Sequence, residues 1–440
     1  MLPATVGGGR TPSAAFWNYP PDYGTFWRMA KIQNIFAKEI LDSRGVPTLE
    51  VTLVLNDGTK EIASVPSGTS TGVHEALELR DNDKNRHDGK GVLKAVAKVN
   101  ELIAPKITGM EVNDQKKIDS ALIALDGSAQ KQNLGANSLL GVSIAAVKAA
   151  ATSGGFELFE YLNLLAGRVP LGLPVPLVNL IEGGKHATGG PQFQEFHIIP
   201  IGFSRFSERY EAAQKVASAL SALAAEKQLV MGYGLEGGIV PRLTDAADVL
   251  GVLVQAVQQA GYSEKEIQFG IDAAASSFYH DNRYELDGRQ FTTDKLIEYI
   301  KQLFDRFAIM LIEDPLAEDD WFGWHKATEV LGKHMVVGDD VFVSSKERLM
   351  RGVKEQVANA IIIKPNQVGT VTETLETVAA AREHGYKLVC SHRSGETRDS
   401  FLADLAVAVG AWGIKAGAAT QSEHVVKYDR LLAIEKRLKR

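Results

Sequence analysis

The feature that most constrains this chain is a repeated shape, a short apolar run that ends on a charged or titratable side chain. "IMLIED" closes on Glu313 and Asp314, "IQFGID" on Asp272, "MVVGDD" on Asp339 and Asp340, "AIIIK" on Lys364, "KLVCSH" on His392 and "WGIK" on Lys415. From Asp272 onward these ends lie 41, 26, 25, 28 and 23 positions apart, room each time for a strand, a loop, a helix and a return. Helical patterns such as "TDKLIEYIKQLFDRF" and "VTETLETVAAAREHG" fill the gaps. Parallel strands buried on both faces read as continuous apolar runs, and such units repeated over ~250 residues predict a closed (β/α)8 TIM-type barrel, an α/β fold. Functional side chains of such a barrel stand at the C-terminal strand ends, which is why each run is apolar up to a last, polar residue. The competing arrangement is an open doubly wound sheet, but no G-x-G-x-x-G follows an early strand to support it.

The first third of the chain has a different pattern. From Lys31 to Val65 it alternates as strands do, with "NDG" (Asn56 to Gly58) as a hairpin turn between two runs. "GVLKAVAKVNELIAP" (91–105) and "ANSLLGVSIAAVKAAA" (136–151) then take up helical spacing, and the second is small and apolar nearly all round, as a buried helix is. Strands followed by helices predict an N-terminal α+β unit over 29–165, an antiparallel meander plus helices. The Pro-punctuated "RVPLGLPVPLVNLI" (168–181) marks a boundary, because proline is excluded from helix interiors and central strands, and the barrel is expected over 166–440. Residues 1–28 mix Gly, Pro and scattered aromatics ahead of Met29, without the apolar centre of a signal peptide. They are expected to be a disordered extension or an upstream start.

Composition excludes several classes. A net charge of −6 provides no basic face for nucleic acid. No apolar run reaches the ~18 residues of a membrane-spanning helix. The only cysteine, Cys390, rules out an intrachain disulfide and sits in the apolar "KLVC", so a buried, inert thiol and a reducing cytoplasm are expected.

On the expected rim, Asp272, Glu313 and Asp339 end successive strands, and three anions converging without a cation would repel and protonate. They call for a metal, and oxygen-only donors point to a hard ion, Mg²⁺ before Ca²⁺ or Mn²⁺. Lys364 and Lys415 end strands on the far side, where desolvation and a nearby dication are expected to lower an ammonium pKa toward that of a general base. Such a pair suits proton abstraction next to a carboxylate. "SHRSGET" presents His392, Arg393 and Ser394, suited to a phosphate. "SVPSGTSTGVHE" (64–75) reads as a mobile lid, "EGGKHATGG" (182–190) as a second loop carrying His186, and "QFQEF" and "GLEGG" add the acids Glu195 and Glu236.

From about Lys31 to Glu435 the chain resembles the enolase family (phosphopyruvate hydratases). The segments that carry the resemblance are "EILDSRG", "SGTSTG", "EALELRD", "LGANSLLGVS", "LPVPLVNLI", "QEF", "IEDPLAEDDW", "VGDD", "KPNQVGT" and "SHRSGET", in the family's order. The resemblance implies Mg²⁺-dependent dehydration of 2-phosphoglycerate to phosphoenolpyruvate, with two Mg²⁺ per site, one held by protein and one recruited with substrate. Enolase-superfamily enzymes use a Lys or His base with one or two Mg²⁺ ions. By motif, Asp272, Glu313 and Asp339 would hold the first ion, and Ser70 with the substrate phosphate would help hold the second. Lys364 would remove the C2 proton, and Glu236, assisted by Glu195, would be the general acid. Lys415 would face the substrate carboxylate, His186 would close in from its loop, Arg393 with Ser394 would bind the phosphate, and His392 would share the pocket. A cytoplasmic homodimer or larger homo-oligomer is implied.

Against the family pattern, Leu235 replaces the usual aspartate before the acid and Glu182 the usual asparagine. Val46, Ser277, Arg398, Ala416, Ala419, Gln421, His424 and Ala433 also depart from it. These changes are expected to bear on rate, pH optimum and, through Ala433, the subunit contact. Two alternatives stand beside this reading: a divergent superfamily lyase acting on another carboxylate, and an enolase-fold protein that works by binding.

Overall fold

The computed structural model describes residues 30–69 and 72–439. The expected extension 1–28 and the expected ligand Ser70 lie outside the described residues. Strands β1 (Ile32–Leu41), β2 (Pro47–Leu55) and β3 (Lys60–Ser64) form an antiparallel sheet in chain order, with Asn56–Gly58 turning between β2 and β3. The helix Ala136–Ser153 packs on this sheet with almost every residue buried, because its small side chains allow close approach. At Gly141 a Cβ would stand 2.7 Å from Val51 Cγ2 and 3.2 Å from Val65 Cγ2.

The barrel strands are β4 (Val175–Glu182), β5 (Glu195–Pro200), β6 (Ile267–Asp272), β7 (Ile309–Glu313), β8 (Met335–Gly338), β9 (Ala360–Ile363), β10 (Lys387–Ser391) and β11 (Gly413–Lys415). They pair in that order, and β11 pairs with β4 to close the ring. Leu177, Ile199, Leu311, Met335, Val337, Ala360, Ile362 and Val389 fill the interior, separate from the larger core between barrel and helices. The long step from Asp272 to Glu313 holds a small three-stranded antiparallel meander (residues 279–291) as well as the helix Thr293–Arg306.

Two details differ from the expectation. β5 runs antiparallel to both β4 and β6, because residues 183–194 return as a loop and not through a helical crossover. Pro176 lies inside β4, paired with Ile414, rather than ahead of the barrel. It is the second residue of the strand, where the missing N–H costs little. Among the described residues no single helix is long and apolar enough to cross a membrane.

Candidate active site

Reversal of β5 decides the composition of one rim. Its first residue, Glu195, stands opposite the last residues of its neighbours, in register with Glu182 on β4 and Asp272 on β6, while Glu313 on β7 follows Asp272. Lys415, ending β11, reaches into this row: its Nζ lies 2.9 Å from Glu195 Oε2, 2.8 Å from Glu313 Oε2 and 3.3 Å from Asp272 Oδ2. Burial pushes Glu195 up, but Lys415, His186 and His197 overcome it and hold this carboxyl well below its usual range. Burial wins at Asp272 and, with Asp272 beside it, lifts Glu313 well above the usual value despite Lys415. Glu313 Oε1 is buried and makes no hydrogen bond. This donor set of buried oxygens, short of positive charge, fits a hard divalent cation.

Asp339 follows β8 and accepts hydrogen bonds from Lys364 Nζ and, at 2.9 Å, from Gln367 Nε2. The protein groups alone set the Lys364 pKa in the other direction from the one expected beside a dication. Burial lowers it, but the Asp339 carboxylate outweighs burial and raises it, and Lys415 is lifted well above its usual range by Glu195, Glu313 and Asp272 in the same way. Lys415 is buried and Lys364 nearly so, and each has carboxylate partners. The second carboxylate of "IED" has a structural part: Asp314, at φ 41°, accepts the N–H groups of Asp339 (2.9 Å) and Asp340 (2.8 Å) and so fixes the turn after β8. Oxygens of Asp314, Asp339 and Asp340 lie within 4.8 Å of one another.

On the other side of Lys415 lies the acid group. His186 Nδ1 lies 3.2 Å from Glu195 Oε1 and 3.6 Å from Glu236 Oε1, and His392 Nε2 lies 3.0 Å from Glu236 Oε2. Burial and the Glu195 charge push Glu236 up, and His392 with His186 overcome both to hold it at about 2. Burial pulls His186 down, yet the surrounding acids, Glu236 first, raise it to about 9. A loop histidine is thus buried and charged. Cys390 is buried, and burial pushes its thiol up to about 12, as expected of an inert thiol.

Arg393 and Ser394 lie where the N-terminal unit covers the rim. Arg393 is buried, its NH1 2.9 Å from Glu75 Oε2 and 3.2 Å from Asn366 Oδ1, and Glu75 raises its pKa against the pull of burial. Ser394 Oγ accepts the Thr69 N–H at 2.9 Å and lies 3.3 Å from Arg44 NH1. At Gly68 a Cβ would collide with the Arg393 guanidinium, so the loop 67–69 rests directly on it.

Every expected site residue among the described ones therefore belongs to this rim. The sequence reading missed residues that complete it. Gln194 donates to Asp272 Oδ2 (3.3 Å), Asn179 to Glu236 Oε2 (3.1 Å), His197 Nε2 lies 2.8 Å from Glu195 Oε2, and Glu75 holds Arg393. Gln194, Gln367 and Glu75 all stand within or beside quoted motifs, but a neutral amide or a lone glutamate gives no signal of its own.

A closed barrel whose rim gathers buried carboxylates and two lysines beneath an α+β unit has the layout of a barrel enzyme with its site at the strand ends. A family model described as "Enolase, C-terminal TIM barrel domain" matches residues 170–440, and one described as "Enolase, N-terminal domain" matches residues 32–162. The chain belongs to the enolase family, which is generally metal-dependent.

Proposed function

We propose that this protein catalyses the reversible dehydration of 2-phospho-D-glycerate to phosphoenolpyruvate and water, the phosphopyruvate hydratase reaction of glycolysis and gluconeogenesis. The observation that carries this reading is the Lys415 ammonium, bonded at once to Glu195, Asp272 and Glu313, which ties an acid pair to a cation-binding carboxylate row. Asp272, Glu313 and Asp339 would hold one Mg²⁺, and Ser70 with the substrate phosphate a second. Bound Mg²⁺ supplies positive charge against the anion that develops on the substrate carboxylate.

Lys364 takes the C2 proton as the free amine, a form that a cation on Asp339 would favour by neutralising the carboxylate that otherwise raises its pKa, and its pairing with Asp339 orients Nζ. Glu236, assisted by Glu195, gives a proton to the 3-hydroxyl as the C3–O bond breaks, releasing water. Lys415 faces the substrate carboxylate and His186 closes over it. Arg393 and Ser394 take the phosphate, with His392 in the same pocket. Removal of a weakly acidic proton and loss of hydroxide need base, acid and charge stabilisation together. We place the enzyme in the cytoplasm as a homodimer or larger homo-oligomer.

A substrate panel with Mg²⁺ tests this reading. Turnover confined to 2-phosphoglycerate, with none of hydroxy acids lacking the phosphate, is expected; turnover of an unphosphorylated acid in preference would point to another lyase.

A further inference from the structure

One buried group at the acid side has no part in the reading above. Glu182 ends β4 and is fully buried. Its Oε1 accepts the Gly238 N–H at 2.6 Å, and both oxygens lie 3.2 Å from the Glu236 N–H. A Cβ at Gly234 would lie 2.2 Å from Glu182 Oε2, so the turn 234–238 is wrapped onto this carboxyl. Oε2 also lies 4.0 Å from His186 Nδ1, the nitrogen that Glu195 and Glu236 face.

Three carboxyl groups thus converge on one imidazole nitrogen in a buried site. Like charges this close and out of water do not all ionise, and one acid keeps a proton. The neighbours decide which. Glu195 has Lys415 and His197, and Glu236 has His392 and Asn179, with His424 edge-on to the His392 ring at 5.1 Å. Glu182 has only backbone N–H donors; Oε1 takes the short Gly238 bond, while Oε2, which shares only the longer Glu236 N–H and faces His186, is the oxygen to carry the proton. The titration directions agree: burial and the Glu236 charge push Glu182 up to about 8, whereas Glu236 is held at about 2.

Building on the proposed function, we infer that Glu182 is a positioning and proton-holding residue for Glu236, pinning the turn that carries the acid and supplying its proton through His186 Nδ1. In that transfer the Nδ1–H bond breaks as Glu236 Oε1–H forms, and Nδ1 is reprotonated from Glu182 Oε2. One proton moves from Glu182 to Glu236 and the negative charge moves the other way.

Glu182→Gln keeps an acceptor for the Gly238 N–H but holds no transferable proton. The kcat for 2-phosphoglycerate is expected to fall ~10-fold with KM within about two-fold, and the alkaline limb of the pH–rate profile, where loss of the Glu182 proton would slow the reaction, to vanish. Glu182→Asp is expected to recover that limb. Independently of turnover, infrared difference spectra of the Mg²⁺-loaded proteins, wild type minus Glu182→Gln, are expected to carry a protonated-carboxyl band that titrates at about pH 8. An unchanged pH–rate profile, or no such band, overturns the inference. Wild-type protein that folds and shows the band but does not turn over 2-phosphoglycerate would refute the proposed reaction while supporting the proton on Glu182.

Discussion

Arg393 of the barrel and Glu75 of the N-terminal unit, 318 positions apart in the chain, form a buried ion pair with NH1 2.9 Å from Oε2 and NH2 3.3 Å from Oε1. Removing one partner of a buried pair leaves an uncompensated charge, which costs far more than a surface bridge. Glu75→Ala is therefore expected to lower stability by about 3 kcal/mol in urea unfolding. Inorganic phosphate should restore part of the loss by pairing with Arg393. A wild-type midpoint would show that the pair does not hold the two parts together.

Lys364 is the group assigned to the C2 proton. Lys364→Ala is expected to abolish exchange of that proton with solvent while Mg²⁺ binding, followed by calorimetry, stays largely intact. Exchange at the wild-type rate in this variant would sink the assignment.

Lys148 and Asp399 make a second link between the two parts, with Nζ 2.6 Å from Oδ1 and 2.7 Å from Oδ2. Burial raises Asp399, but Lys148 outweighs it and holds the carboxyl below its ordinary 3.8. A depressed folded-state pKa contributes stability that is present above the unfolded value and lost as pH falls through the folded one. Lys148→Met removes the cause of the depression. Its acid unfolding, followed by circular dichroism, should begin at a higher pH than that of the wild type, and coincident acid transitions would contradict this account.

Gly141 lies where the helix Ala136–Ser153 meets β2. Gly141→Ala places a methyl against Val51 and is expected to cost about 1–3 kcal/mol by overpacking, although alanine is the better helix former. A stabilised variant would show that the sheet can yield at this point.

Much of the barrel is legible in the sequence, because a strand buried on both faces has to be apolar and its rim residue does not. Glu313, Asp339 and Lys364 stand out for that reason. Glu195 is harder to place, since it begins its strand, and only the antiparallel course of β5 brings it to the same rim. Glu75 and Gln367 are legible only once the chain is folded, and Glu182 stands out in the sequence only as a departure whose contacts it does not give, because each acts through a partner distant in sequence. The Asp339 partner of Lys364 is hidden in the sequence for the same reason. Desolvation can be inferred from a strand end, but the bonded Asp339 carboxylate that outweighs it cannot. Leu235 was expected to deprive Glu236 of an acidic neighbour, yet Glu182 provides one from β4.

The most direct measurement is the ultraviolet absorbance of phosphoenolpyruvate when purified protein is mixed with 2-phosphoglycerate, first with Mg²⁺ and then with excess chelator. A rise that needs Mg²⁺ and stops with chelator is the predicted result. A folded, Mg²⁺-loaded sample that produces no rise would contradict the proposed reaction.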